Sequence, residues 1–550
     1  MPPNRVKTQT MSTAASGQNS TRSEFATTLE RGPSKSEGGD RNDNRLFLGD
    51  NLEIMRRLAQ ESPGSIDLVY IDPPFATGLA WHYNPEPKTL DSSKSQGRKA
   101  IHAKAYDDDW GENIGDYVDW MKERLQLIHK LLGPKGSLLL HCDHRANHHL
   151  SILCDEIFGP GDRRPGPTRA GFRNEIIWSY GLGGSSPRCY PKKHDTILWY
   201  TKSEQWTFKP PMVPATSAKL KGKLKKAPDT WQIPTLNNMA RERTGYPTQK
   251  PLALLERIIE AHTNPGDLVA DFFCGSGTTV IAAERGKRRW LGCDETAMSI
   301  HVIKKRLLEL QNQRPFQILG TNASSAGKGS LPDEKLKARI LESYESIPCA
   351  PEEVFHARKD NTLIWIAPSF HPVRAEDLNQ LDTLAAKNPQ ENIHILGWKW
   401  ELNDALICPT LKKDFTLIQL PRTLLRSQAR PGSSHLFLER PRIEIDVESE
   451  SPGSLTVSLK KFWYAHPENL PVEIQATEKG SFDLLDLWGL DFSPSESPFT
   501  YLWSSSRNRA VREIQTRTQI SADRNQSGLS LRIRAADVFG TNIEIKVPLP

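Results

Sequence analysis

No two of the seven cysteines in this chain form a Cys-x-x-Cys pair. Their scatter argues against a disulfide framework or a zinc ribbon and fits reduced thiols in the cytoplasm. No apolar run approaches the ~20 residues that a membrane helix needs, so a helical membrane protein is not expected. The first residues also lack the apolar segment of a secretory signal. Neither sign of charge dominates. Lys and Arg number 72 against 66 Asp and Glu, a net charge of +6, which permits a nucleic-acid partner without requiring one.

At 550 residues the chain is too long for one core, and two or three domains are expected. Residues 1–44 are rich in Ser, Thr, Asn and Gly and carry no apolar period, so they read as a disordered tail. Their Ser/Thr and Arg content hints at a transit peptide. Glu24, Glu30 and the missing amphipathic face argue against one.

What the chain does have is a strand-turn-helix built on glycine. Leu268-Val269-Ala270 reads as the end of a buried strand. Asp271-Phe272-Phe273-Cys274-Gly275-Ser276-Gly277 is the turn, and Thr278 to Arg285 is a helix that stops at Gly286. Two glycines there let the backbone bend and approach a ligand. A second strand, Arg289 to Cys293, ends in Asp294, where a carboxylate can take both hydroxyls of a ribose. The unit is sized for a nucleoside; its alternative is a plain tight turn.

Upstream, a strand ends at Asp50 and is followed by a helix from Leu52 to Ala59. The buried strand Ile66 to Ile71 runs into Asp72-Pro73-Pro74-Phe75, a stiff segment that exposes carbonyl oxygens because proline donates no hydrogen bond. Residues 80–110 are polar and read as a mobile loop, with Asp107, Asp108 and Asp109 as an acidic run leading into a helix, whose alternative is solvated carboxylates. That helix carries Val118, Met121, Leu125, Ile128 and Leu132 at helical spacing. The strand Ser137 to Leu140 leads to His141, Cys142, Asp143 and His144. His144 and His148 lie four apart without an evident third or fourth ligand, so no metal is expected. Lys192, Lys193, Lys221, Lys223, Lys225 and Lys226, with Trp206, Phe208 and Trp231 nearby, form a basic stretch that can follow a phosphate backbone; its alternative is a solvated loop. Tyr246-Pro247-Thr248-Gln249-Lys250-Pro251 opens a helix over Leu252 to His262.

Together these residues resemble the β-class amino DNA methyltransferases, the modification enzymes of restriction systems. The likeness covers about residues 45–312 and rests on Asp72-Pro73-Pro74-Phe75, Thr248-Gln249-Lys250-Pro251 and the Asp271-x-Phe273-x-Gly275-x-Gly277 turn. Asp107 to Leu140 is similar to methylases related to the modification subunits of type III systems. The order is that of a circularly permuted unit, with the tetrad about 200 residues before Gly275. The resemblance implies S-adenosylmethionine as donor, a Rossmann-like α/β sheet and double-stranded DNA as substrate. It implies that Gly275 and Gly277 pass under the methionine part, that Phe273 belongs to the cofactor site and that Asp271 lies near the amino group. Asp294 would hold the ribose, Asp50 would approach the adenine, and Thr248 and Lys250 would lie near the methionine carboxylate. Phe75 stands where Tyr is commoner, and stacking needs no hydroxyl. Phe272 and Cys274 replace the usual Pro and Ala.

In the implied chemistry Asp72 and the Pro73 carbonyl accept the hydrogens of an exocyclic amine, Pro74 keeps the carbonyl aimed, and Phe75 stacks on the flipped base. Asp at the head of the tetrad leans toward adenine N6, with cytosine N4 as the alternative. A catalytically silent DNA-binding subunit is a more distant alternative, against which the intact Asp72, Gly275 and Gly277 argue. An RNA or protein methyltransferase is disfavoured by the motif order. No nuclease or helicase motif is evident, so modification without cleavage is expected. A restriction or defence partner and a homodimer are both compatible.

The basic stretch suggests a target-recognition insertion at about 200–240 within the catalytic domain. Residues 313–335 read as a linker, with Gly, Ser, Ala and Lys rich from 320 onward. A small α/β unit is expected over 336–435. Over 436–550, short alternating strands between Pro/Gly/Ser turns predict an immunoglobulin-like β-sandwich. Trp463, Tyr464, Trp488, Phe492, Tyr501 and Trp503 would be its core.

Overall fold

The structure is a computed structural model. It describes residues 26–32, 44–83, 103–321 and 333–547, apart from short stretches at 109, 111–112, 165–168, 182–186, 216–221, 238, 351–352, 369–370, 387–389, 403–414, 422–423, 425–436, 452, 471–481, 493, 495–496 and 522–529.

A parallel sheet forms because several short segments are apolar at nearly every position, which only a strand covered on both faces tolerates. In chain order the sheet strands are β1 (Ala26–Arg31), β2 (Asn44–Leu48) and β3 (Ile66–Ile71). A hairpin apart from the sheet, β4 (Ala80–Tyr83) and β5 (Ala103–Asp107), comes next. Then follow β6 (Leu132–Cys142), β7 (Gly171–Ser179) and β8 (His194–Thr201). The short strands β9 (Met212–Pro214) and β10 (Leu224–Lys226) pair only with each other. The series ends with β11 (Thr230–Gln232), β12 (Leu268–Asp271), β13 (Arg289–Asp294) and β14 (Phe316–Thr321). The main sheet has eleven strands in the order β11-β7-β8-β6-β3-β12-β13-β2-β14-β1, closed by Phe499–Thr500. From β6 to β14 all neighbours are parallel; β8 and β1 join antiparallel at the two sides.

Helices cover both faces. On one lie α1 (Asn51–Glu61), α2 (Ile114–Leu131) and α3 (Asn147–Phe158), which bury Ile54, Met121, Leu125 and Leu150 in one cluster. On the other lie α4 (Leu252–His262), α5 (Thr278–Arg285) and α6 (Ala297–Leu308), with Leu254, Ile281 and Ile303 in a second cluster. This is the doubly wound arrangement expected.

Three expectations change. Residues 26–31 are not tail but sheet strand. Glu30 draws the segment in: its carboxylate accepts from Lys304 at 2.8 Å and pairs with Arg534 at 3.0 Å. Burial alone would raise that carboxyl; the two cations overcome it and lower it to about 2. The start of the linker is β14, whose Phe316 and Ile318 are core. Part of the expected loop at 80–110 is the β4–β5 hairpin, and residues 84–102 lie outside those described.

The C-terminal half holds two further units. A six-stranded mixed sheet, with Thr362–Ile366, Asn392–Gly397 and Phe415–Gln419 parallel at its centre, packs against Ala375–Ala385. Beyond it, a three-stranded and a four-stranded antiparallel sheet share one core around Val457, Trp488, Leu490 and Ile533. That core also takes in Tyr83, Tyr246, Met298 and Val302 of the first unit. His301 and Lys305 both reach Asp486. These two sheets are therefore docked along α6. Among the described residues no helix is long and apolar enough to cross a membrane.

Breaking a buried ion pair leaves a charge without its partner and costs about 3–5 kcal/mol. Glu30→Ala is expected to lose stability on that scale in urea unfolding. The double variant with Lys304→Met should recover part of the loss. A Glu30→Ala protein as stable as the parent would show that the strand is not held by this pair.

Candidate active site

β3 and β12 are hydrogen-bonded parallel neighbours, with Leu68 beside Val269 and Val69 beside Ala270. Between them the chain has left for β6, β7 and β8 and returned, so this is where the strand order reverses. Asp72 and the glycine turn leave the sheet at the same edge, at the crevice where open α/β sheets bind ligands. Lys250 joins them. Its Nζ lies 2.6 Å from Asp72 Oδ2 and 5.2 Å from the centre of the Phe75 ring. Its carbonyl accepts from Thr278 Oγ1 at the start of α5. Lys250, expected beside a cofactor carboxylate, thus has the Asp72 carboxylate as its partner. Thr248 just before it is exposed, has φ +55°, and shares a hydrogen bond with the Tyr106 hydroxyl.

The loop after the tetrad is fixed by a residue read from sequence as part of an acidic run leading into a helix. Asp108 is 1% exposed. Its oxygens accept from the backbone N–H groups of Phe75, Ala76 and Thr77, from the Thr77 hydroxyl and from Trp110 Nε1. These bonds hold Ala76 at φ +56°, a conformation that needs outside support in a residue with a side chain. Beneath the loop, Phe75 stacks on His141, ring centres 5.8 Å apart. The fully buried His141 bonds Tyr70 through Nδ1 and Asp195 through Nε2, and Tyr180 donates to Asp195. A buried polar chain thus backs the ring face. Its members lie tens of residues apart in sequence, which hid it.

On the other side, Gly275 and Gly277 have φ +50° and +76°. A Cβ on Gly275 would stand 3.0 Å from the Tyr246 ring, and one on Gly277 would stand 2.4 Å from Ile303. Asp294 Oδ2 accepts from Gly275 N, while Oδ1 accepts from Thr296 N and Oγ1. Burial raises its pKa. Asp271 points inward: Phe273 N and the Thr279 hydroxyl donate to it. Burial pushes its carboxyl up to about 7 against the lowering effect of those donors. Asp271 therefore shapes the turn. Asp50 caps α1 by accepting from Leu52 N and remains exposed. Beside it the buried Arg124 bonds Asn51 and lies 3.7 Å over Trp120, which packs on Phe273. Carboxylates at successive strand tips, an aromatic wall and a glycine floor suit a cationic nucleoside bearing hydroxyls. That chemistry fits S-adenosylmethionine.

Of the lysines read as DNA contacts, Lys192 is exposed and lies 2.6 Å from His144 Nε2, at the tip of β6. Lys193 reaches the Gly181 carbonyl. Lys223 and Lys226 are exposed and Lys225 half-buried on the β9–β10 ribbon, and Lys221 lies outside the described residues. Of the neighbouring aromatics Trp231 is buried, while Phe208, 42% exposed, lies tilted against Trp199.

Residues 66–305 match the family model described as DNA methylase, N6_N4_Mtase. The chain is 28% identical over 330 residues to the type II methyltransferase M.EcaI of Enterobacter cloacae, covering 48% of this chain and 69% of that one. It is 26% identical over 285 residues to the DNA adenine methyltransferase YhdJ of Escherichia coli K12, covering 48% and 82%. The solved PvuII cytosine-N4-specific DNA methyltransferase aligns at 21% identity over 49% of this chain and 88% of its own, with a TM-score of 0.33. Over residues 66–305 the chain is thus similar to the N6/N4 DNA methyltransferases.

Proposed function

We propose that this protein is a cytoplasmic enzyme that methylates the exocyclic amine of a base extruded from duplex DNA, with S-adenosylmethionine as donor. The observation that carries the reading is the Asp72 carboxylate, held by Lys250 at 2.6 Å, on the strand hydrogen-bonded to the one bearing the glycine turn. The donor supplies an activated methyl group at its sulfonium. The protein must make a poor nucleophile of the amine into a better one and hold it in line. Asp72 and the Pro73 carbonyl accept its two hydrogens, which favours a tetrahedral nitrogen and stabilises the charge growing on it. Lys250 engages Oδ2, and Oδ1 is the oxygen assigned to the amine. Phe75, backed by His141, offers a flat face that offsets part of the few kcal/mol lost when a base leaves the stack. Asp108 sets the loop so that ring and carbonyl keep their places.

Adenine N6 is the target favoured by Asp at the head of the tetrad, with cytosine N4 as the second reading. A restriction or defence system is the setting that the family resemblance suggests. The paired three- and four-stranded antiparallel sheets support an immunoglobulin-like reading of residues 436–550.

Base-modification sequencing of DNA from cells with and without the protein is expected to show one methylated motif; absence of any new mark in cells that express it would refute the reading. Asp72→Ala should lower kcat about 10²–10³-fold, the scale of losing an electrostatic acceptor, with the cofactor Kd by calorimetry nearly unchanged. Lys250→Met should lower kcat while moving that Kd less than about threefold, since its partner is Asp72. A large rise in the Kd would return Lys250 to the cofactor.

Asp271 gives a pH signature. Its folded carboxyl, at about 7, lies above the ordinary value of 3.8, so the native protein binds an extra proton between them. The stability this group contributes is present at low pH and is lost as pH rises toward 7. Asp271→Asn should therefore melt well above the parent at pH 8 and approach it only as pH falls to about 4 in calorimetry.

A further inference from the structure

We propose that the C-terminal sandwich completes the DNA surface through its turn at residues 508–512. This deepens the DNA methyltransferase reading and rests on it. The turn is pre-formed: Asn508 Oδ1 accepts from Ala510 N and Val511 N at 2.8 and 2.7 Å, and Asn508 N donates to Val511 O. The turn lifts Val511, 52% exposed, and Arg512 into solvent.

Its position is tied to the catalytic cleft by a short run of contacts. Arg509 Nη1 donates to the Ala240 carbonyl at 3.4 Å. The loop that follows Ala240 is stapled by Gln249, whose amide oxygen accepts from Thr244 N and Oγ1 and whose amide nitrogen donates to Glu242 O. The next residue is Lys250, on Asp72. Tyr246, in the same loop, lies in the sandwich core and against Gly275. The 508–512 turn is thus fixed to one rim of the crevice that receives the base.

The chemistry at that rim suits a polyanion with apolar edges. Arg241 and Arg512 are exposed, and Arg509 lies between them. Met239 is 87% exposed beside Arg241. Of the acids present, Glu242 accepts from Leu252 N and faces the first turn of α4, leaving Glu513 as the exposed carboxylate. Guanidiniums on both sides of the contact between the two units can bridge phosphates of one strand, while Met239 and Val511 meet sugar edges. A duplex reaching for Asp72 then spans both units.

The test is fluorescence anisotropy of a labelled duplex over a salt series, with the parent and the Arg241→Gln/Arg512→Gln variant. Each lost phosphate contact flattens the slope of log K against log salt by about 0.9, so the variant should lose about 2 in slope and roughly tenfold in affinity. Single-turnover methylation at saturating DNA, and cofactor binding by calorimetry, should match the parent. Equal affinity and slope in a parent and variant that both methylate DNA overturns this inference alone, including the case where the rim serves a protein partner. A parent that neither binds nor methylates any duplex overturns the functional reading and this inference with it.

Discussion

The ion pair between Lys250 and Asp72 is the joint on which the site depends. The two residues stand 178 apart in sequence, and both are largely buried. Parallel pairing of β3 with β12 brings their segments to one edge. The pair then fixes how the tetrad faces the start of α5, because the Lys250 carbonyl is itself held by Thr278. Two charges this close to an apolar ring are tolerated only when each has its partner and its geometry. Backbone topology supplies the neighbourhood, and one side-chain contact ties the Asp72 carboxylate to the segment that opens α4.

Around that joint the protein uses acids for different purposes. Asp108 accepts five hydrogens and organises a loop. Asp271 is turned inward to shape the glycine turn, and Asp294 ties that turn to the tip of β13. Asp72 takes the Lys250 ammonium through Oδ2. Carboxylates of one type in one small region are told apart by which backbone N–H groups they capture.

What was legible in the sequence was whatever is local. The helices Leu252–His262 and Thr278–Arg285 and the strand Ile66–Ile71 follow from runs of a few residues and the breakers beside them. The strand-end acids were legible for the same reason. What escaped depends on partners far along the chain. Ala26–Arg31 has little apolar character of its own and is a strand because β14, Lys304 and Arg534 receive it. Phe316–Thr321 was masked by the Gly/Ser-rich residues after it. Asp108 looked like any charge in a run of three, and His141 like a strand tip, until Phe75 and Asp195 were set beside them.

The sheet also has a history written into its order. Ala26–Arg31 lies between β14 and Phe499–Thr500, so an early segment is flanked by later ones. During synthesis the early segment must wait, unpaired, until β14 has emerged, and its outer side waits until Phe499 and Thr500 are made. Long-range pairings of this kind are slow to form and leave strand edges open meanwhile. The main sheet therefore cannot be completed before residue 500 has left the ribosome, and its assembly becomes a checkpoint on the order of synthesis.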